Sequence, residues 1–181
     1  MSSFDLAIPT ILMHEGGWVS DPQDLGGETN YGISMLMIRR SGLTPQELGV
    51  DNLTTPGCLK KMTVDGAKKI YLKYYWAPFH YDSINDQTVA TKIFDCGVNC
   101  GNDRANVMAQ KAANACGQSL TVDGSLGPKS FAAINACDAK TYIKAYADEM
   151  TKYYLAIIKA RPANAKFQSN WLHRAQWGVK P

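Results

Sequence analysis

The chain has 181 residues, a formal net charge of +3 at neutral pH, 45% hydrophobic and 19% charged residues. That length buries a sizeable core, as one domain or as one domain with a small companion, and the composition is that of a soluble globular chain rather than a disordered one. The charge is too weak and too unpatterned for a nucleic-acid binder, though it suits an anionic polymer.

Residues 3 to 15 read as a helix, because Phe4, Ile8, Ile11 and Leu12 recur at helical spacing and Glu15 falls on the same stripe. Pro9 either kinks this helix or marks the first turn of a shorter one beginning near Ile8. Gly16 and Gly17 stop it. Glu15 then occupies the last turn, where the negative end of the helix and desolvation both favour a protonated carboxyl. That is the state a general acid needs. The other reading of Glu15 is a side chain fraying into water. In the following loop Asp21-Pro22, Gly26-Gly27 and Gly32 are turn signals, and Trp18, Val19, Tyr31 and Ile33 suit short strands. A hairpin there, carrying Asp24 and Thr29, can set a second carboxyl across a cleft from Glu15. Inverting glycoside hydrolysis needs such a pair about 6.5–9.5 Å apart, with a water between. Asp24 is also a plain turn former, and Thr29 a plain strand residue. Asp21 and Glu28 compete with Asp24 as the base. His14-Glu15 opens like a zinc-protease motif, but Trp18 stands where the second histidine belongs.

Further along, Ser34 to Arg40 predicts a short helix ended by Gly42, and Thr44-Pro45-Gln46-Glu47 a helix start with a capping box. Thr63 caps a helix with Val64, Ala67, Ile70, Tyr71 and Tyr74 on its apolar face, ending near Trp76-Ala77-Pro78. Residues 89 to 99 form a largely apolar helix carrying Asp95 and Asn99 on one face, either lining a cleft or forming a satisfied buried pair. Residues 102 to 115 form an alanine-rich helix, and Pro128 starts another. Asp138 caps a long helix to about Ala160 with a tyrosine-rich stripe and a polar face of mixed charge, which argues against a membrane surface. Trp171, Leu172 and Trp177 dock on the globule.

The run from Glu15 to Ser34 resembles the signature of glycoside hydrolase family 108, the lysozyme-like muramidases of bacteria and phages. Glu15-Gly-Gly-Trp, Asp21-Pro22, Asp24, Gly26-Gly27, Thr29 and Gly32-Ile33 match that pattern, with Ser34 where the family usually has threonine. The resemblance continues through Tyr75-Trp76, through Phe94-Asp95, Val98-Asn99 and Gly101, and to Arg104 and Gln110. It implies a mainly α (α+β), lysozyme-like fold with a small β-hairpin beside the cleft. It also implies Glu15, Asp24 and Thr29 as catalytic, with Tyr31, Tyr75, Trp76, Asp95 and Asn99 as substrate contacts. The run Val122-Asp123-Gly124 to Gly127-Pro128 resembles a peptidoglycan-binding motif, which turn chemistry alone also explains.

The expected layout is a catalytic region over 1–97 and a helical peptidoglycan-binding region over 98–181, packed as one globule. The expected activity is hydrolysis of the β-1,4 bond between N-acetylmuramic acid and N-acetylglucosamine; a wall-binding module that does not cut is the alternative. No cofactor and no metal are expected. Bacterial peptidoglycan is the expected partner, without nucleic acid or stable membrane insertion, for a monomer. Five cysteines, an odd number at irregular spacing, fit a reducing compartment rather than a disulfide framework. No basic leader precedes an apolar run, so the expectation is a cytoplasmic protein that reaches the wall through a holin.

Overall fold

A computed structural model describes residues 1–20 and 28–179. Asp21, Pro22, Asp24, Gly26 and Gly27 therefore lie outside the described residues. Among those described, nine α-helices and one two-stranded antiparallel sheet form two compact units. One unit joins Met1–Ala7 to the chain from Phe79 onward, and the other is Ile8–Pro78.

The first helix, α1 (Phe4–Glu15), begins in one unit and ends in the other. It runs through Pro9 rather than starting there. Proline forfeits one backbone hydrogen bond and crowds the preceding turn. Burial of Ala7, Ile8 and Ile11, each at most 1% exposed, offsets that loss.

In the unit Ile8–Pro78, strands β1 (Thr29–Asn30) and β2 (Ile33–Ser34) form a hairpin in register Thr29 to Ser34 and Asn30 to Ile33. Val19, expected in a strand, contributes an isolated bridge to Thr29 through two 2.8 Å backbone bonds. The next helices start where their caps place them. Helix α2 (Met35–Ser41) is capped by the Ser34 hydroxyl and ends at Gly42, whose φ of 66° is left-handed. Helix α3 (Pro45–Leu48) carries the Thr44/Glu47 capping box, and α4 (Val64–Tyr71) is capped by Thr63. Beyond α4 the chain widens into a π turn, Leu72–Trp76. Such a turn rotates side chains off the regular 3.6-residue period.

The other unit is a helical bundle. Helix α5 (Gln87–Cys100) packs on α6 (Asn102–Ala115), and both pack on the long α8 (Ala139–Ala160). Alanines on α6 leave room for tyrosines on α8. Tyr142 and Tyr146 are buried, and their hydroxyls donate to the carbonyls of Ala109 and Ala105 at 3.0 and 3.1 Å. Buried tyrosines need such partners, because an unpaired hydroxyl away from water is costly. Helix α7 (Pro128–Ala136) starts at Pro128 as expected, and α9 (Gln168–Gln176) closes the chain. The leading segment belongs here too. The Ser2 hydroxyl donates to the Tyr81 carbonyl at 2.7 Å, and the Phe4 ring lies 6.0 Å from Phe94.

Candidate active site

Glu15 is the last residue of α1, half-buried, with its side chain lying on the hairpin turn. Gly32 makes this approach possible. Its φ of +72° is left-handed, and a Cβ there would meet the Glu15 carboxylate and stand 2.9 Å from Glu15 Cβ and Cγ. The residue before it, Tyr31, is left-handed as well at φ 51°, a conformation costing a non-glycine residue about 1–2 kcal/mol. The Tyr71 hydroxyl steadies that turn by donating to the Tyr31 carbonyl at 2.6 Å. The sequence-predicted Glu15 and Tyr31 are thus held to the same corner by α1, the hairpin and α4.

Tyr75 joins them. The π turn aims its hydroxyl at the Met37 thioether of α2, 3.5 Å away, and sets its ring 5.7 Å from Tyr71. Burial raises the Tyr75 pKa, and the nearby Glu15 charge raises it further. The hydroxyl therefore stays protonated and serves as a donor. Gly32 and Tyr75 line a groove of about 540 Å³ with Ser34, Leu36, Met37, Arg40 and Tyr74. That is within the range of small-ligand sites. Sequence reasoning passed over the α2 residues of this groove. Their signal is faint but present: Leu36 is 46% exposed and Arg40 exposed, on a helix whose Met35 and Ile38 are buried.

Gly32→Ala forces a left-handed alanine into the space of the Glu15 side chain. We expect a loss of about 1–2 kcal/mol in urea unfolding from the backbone alone. Hydrolytic rate should fall at least tenfold through displacement of Glu15, since small misplacements of reacting groups are expensive. A Gly32→Ala protein with normal rate would separate the turn from catalysis.

Thr29 is the first residue of β1, half-buried, with its backbone bridged to Val19. Glu28, one residue earlier, ties down the base of the loop. One carboxylate oxygen accepts from Trp18 Nε1 at 3.1 Å, the other from the Cys58 thiol at 3.2 Å and the Leu59 N–H at 3.3 Å. Burial raises the Glu28 pKa, but hydrogen bonds from Trp18, Cys58, Leu59 and Gly57 outweigh it and leave it lowered. Burial and the Glu28 charge together push the Cys58 thiol up to about 11, so it remains a donor. Lys60 stands 5.3 Å from the centre of the exposed Trp18 ring. With both oxygens engaged, Glu28 braces the loop. Its folded pKa lies below its unfolded one, so its contribution is present above about pH 4.5 and is lost as pH falls through the folded value. Glu28→Gln should cost about 1–2 kcal/mol at pH 7 and progressively less below pH 4, measured by denaturation at several pH values. A pH-independent difference would remove the charge from the argument.

The remaining expected contacts have other surroundings. Trp76 is 3% exposed, in the interior of its unit. Asp95 and Asn99 belong to the helical bundle. Asp95 is 1% exposed, and Arg174 of α9 donates to both its oxygens, Nε to Oδ2 at 2.9 Å and NH2 to Oδ1 at 2.8 Å. Of the two readings of the Asp95–Asn99 pair, Asp95 takes the buried, satisfied one. Asn99 is exposed, and its Oδ1 accepts from the Tyr154 hydroxyl at 2.8 Å. Gln110 clasps the Asp123 turn: its Oε1 accepts from the N–H groups of Asp123 and Gly124 at 3.0 and 2.8 Å, and its Nε2 donates to Asp123 Oδ1 at 2.8 Å. That segment is thereby built as a braced turn. Among the described residues no group of three or more His, Cys, Asp or Glu side chains could hold a metal, and no helix is long and apolar enough to cross a membrane.

Residues 8–101 match the family model described as Glycosyl hydrolase 108, more than half of the chain. The chain belongs to glycosyl hydrolase family 108. Residues 104–176 match a second family, described as Predicted Peptidoglycan domain. The solved structure of Brucella abortus SagA is similar: 25% identical, TM-score 0.72, with the match covering 96% of this chain and 89% of that one. No curated protein matches the chain. The mostly helical, lysozyme-like fold with its small hairpin is therefore that of family 108. Glu15 and the 540 Å³ groove both lie in the stretch that this family model covers.

Proposed function

We propose that this family 108 glycosidase is a muramidase that cuts the β-1,4 bond between N-acetylmuramic acid and N-acetylglucosamine. The observation that supports this most is the seat of Glu15, ending a helix against the left-handed Gly32, which lines a groove bearing Tyr75. Glu15 donates its proton to the glycosidic oxygen as the bond to the anomeric carbon breaks. Asp24 takes a proton from the water that attacks the opposite face, and Thr29 holds that water. Tyr31 and Tyr75 meet the saccharide. Residues 98–181 hold the wall. In this reading the protein is an endolysin, made in a bacterial cytoplasm and released to the periplasmic wall through a holin.

A zymogram on purified peptidoglycan tests the assignment. A cleared band is expected; a chain that binds the wall and leaves it intact would be a binding module instead. The stereochemistry follows from the role of Asp24. A base acting through water inverts the anomeric centre, whereas direct attack needs a carboxylate only about 5–5.5 Å from the acid. Proton NMR of the first products from a soluble fragment should show the α-anomer. A β-anomer appearing first would reassign Asp24 and Thr29.

A further inference from the structure

The helical bundle carries a second groove, of about 450 Å³, between α6 and α8. Its floor is Val107, Met108 and Tyr153, and its rim bears Arg104, Lys111 and Lys152. We propose that this groove binds the short anionic peptide borne by the glycan strands of peptidoglycan. The proposal rests on the peptidoglycan reading above and adds to it which part of the polymer the C-terminal region grips.

Charge and shape select that occupant. Three cations face two carboxylates, Asp103 and Glu149. Glu149 is the better covered, with 18% of its side chain exposed, and it is shared by Lys152 at 2.7 Å and Lys111 at 4.0 Å. One carboxylate between two ammonium groups leaves cationic charge directed at the groove. A saccharide subsite wants an open aromatic face and planar amide or carboxylate groups for its hydroxyls. Here the Tyr153 ring is engaged instead, with the Arg104 guanidinium 5.9 Å from its centre and the Tyr154 ring 5.8 Å away. An apolar floor under separated cations fits alanyl methyls and methylene chains that carry carboxylates. Asp103, on the same groove, is left for the amino group of the diamino acid such peptides contain. The volume lies within the 300–1,000 Å³ usual for small-ligand sites.

The test is calorimetric titration of the intact chain with two soluble probes. One is the free tetrapeptide L-alanyl-D-isoglutamyl-meso-diaminopimelyl-D-alanine; the other is chitotetraose, a β-1,4 glycan without peptide. The tetrapeptide should bind, weaken as salt is added, and lose at least tenfold in affinity in the double variant Lys111→Glu/Lys152→Glu. Affinity for chitotetraose should not change. Lys111→Met/Lys152→Met, which keeps the alkyl stems and adds no repulsion toward Glu149, should lose at least threefold and guards against a folding defect in the reversal. No binding of the tetrapeptide, binding indifferent to these substitutions, or an equal loss for both probes would overturn the proposal. Hydrolysis separates the two readings. The double variants should cut peptide-stripped wall normally and intact wall slowly. A wild-type chain that cuts neither wall would overturn the muramidase reading, while the titration would still decide the groove.

Discussion

Glu15→Gln will give a folded protein whose wall-lysing rate is lower by about 10²–10⁴-fold, the usual contribution of a general acid. The amide keeps the shape of the carboxyl, so its fit against Gly32 persists and the proton alone is lost. Circular dichroism and urea unfolding should therefore be close to wild type while turbidity clearance nearly stops. The contrast with Gly32→Ala is informative. That variant keeps the proton and moves the group, so it should fall between wild type and Glu15→Gln in rate while being the less stable of the two. A folded Glu15→Gln protein with near-normal lysis would take Glu15 out of the mechanism.

The largest stability effect should come from the bundle. Arg174→Ala strips the fork that engages both oxygens of Asp95 and leaves a carboxylate that is 1% exposed without its counter-charge. Removing one partner of a buried ion pair costs about 3–5 kcal/mol, because the other charge stays desolvated. Asp95→Asn should cost less, since an amide still accepts one hydrogen bond from Arg174 and carries no charge. The double variant Arg174→Met/Asp95→Leu should recover much of the loss, as apolar replacement of such pairs commonly does. The readout is the urea midpoint, with residual hydrolysis of a soluble glycan measured alongside. If Arg174→Ala were as stable as wild type, the pair would be ornamental to the bundle.

Much of the fold is legible because local chemistry sets it. Ser34, Thr44, Thr63 and Asp138 each cap the helix their sequence announces, since a side-chain oxygen before an apolar run has one obvious partner. Helix α9 is not legible in this way. It lacks a side-chain cap, and beyond its packing on α8, where Trp171 stacks on Tyr154, it is fastened by α5: Arg174 on Asp95, and the buried Lys92 ammonium, which donates to the Ala175 and Trp177 carbonyls at 2.7 and 2.6 Å. The α5 partners stand some 80 residues away in the chain, as in the 79-residue separation of Arg174 and Asp95, so no local window contains them. The site divides along the same line. Glu15 and the glycines after it are readable as a helix end. The closeness of Tyr75 to Glu15 depends on a π turn, and no 3.6-residue period foretells it. Asp95 shows the converse limit, because an acidic residue on an apolar helix face reads alike whether it meets a sugar or an arginine.

The leading seven residues have a temporal consequence. Ser2 bonds to Tyr81, and Phe4 lies against Phe94, so residues 1–7 complete a unit whose remainder, from Phe79 onward, leaves the ribosome after them. At about 5–20 residues per second, the 79 positions between Ser2 and Tyr81 take some 4–16 s to emerge. When that interval closes, Ile8–Pro78 has its whole sequence, while the start of α1 still has no bundle to join. The region bearing Glu15 can therefore mature before the bundle does. A fragment cut at any single point before Phe79 either lacks the leading segment or carries it without a place to go.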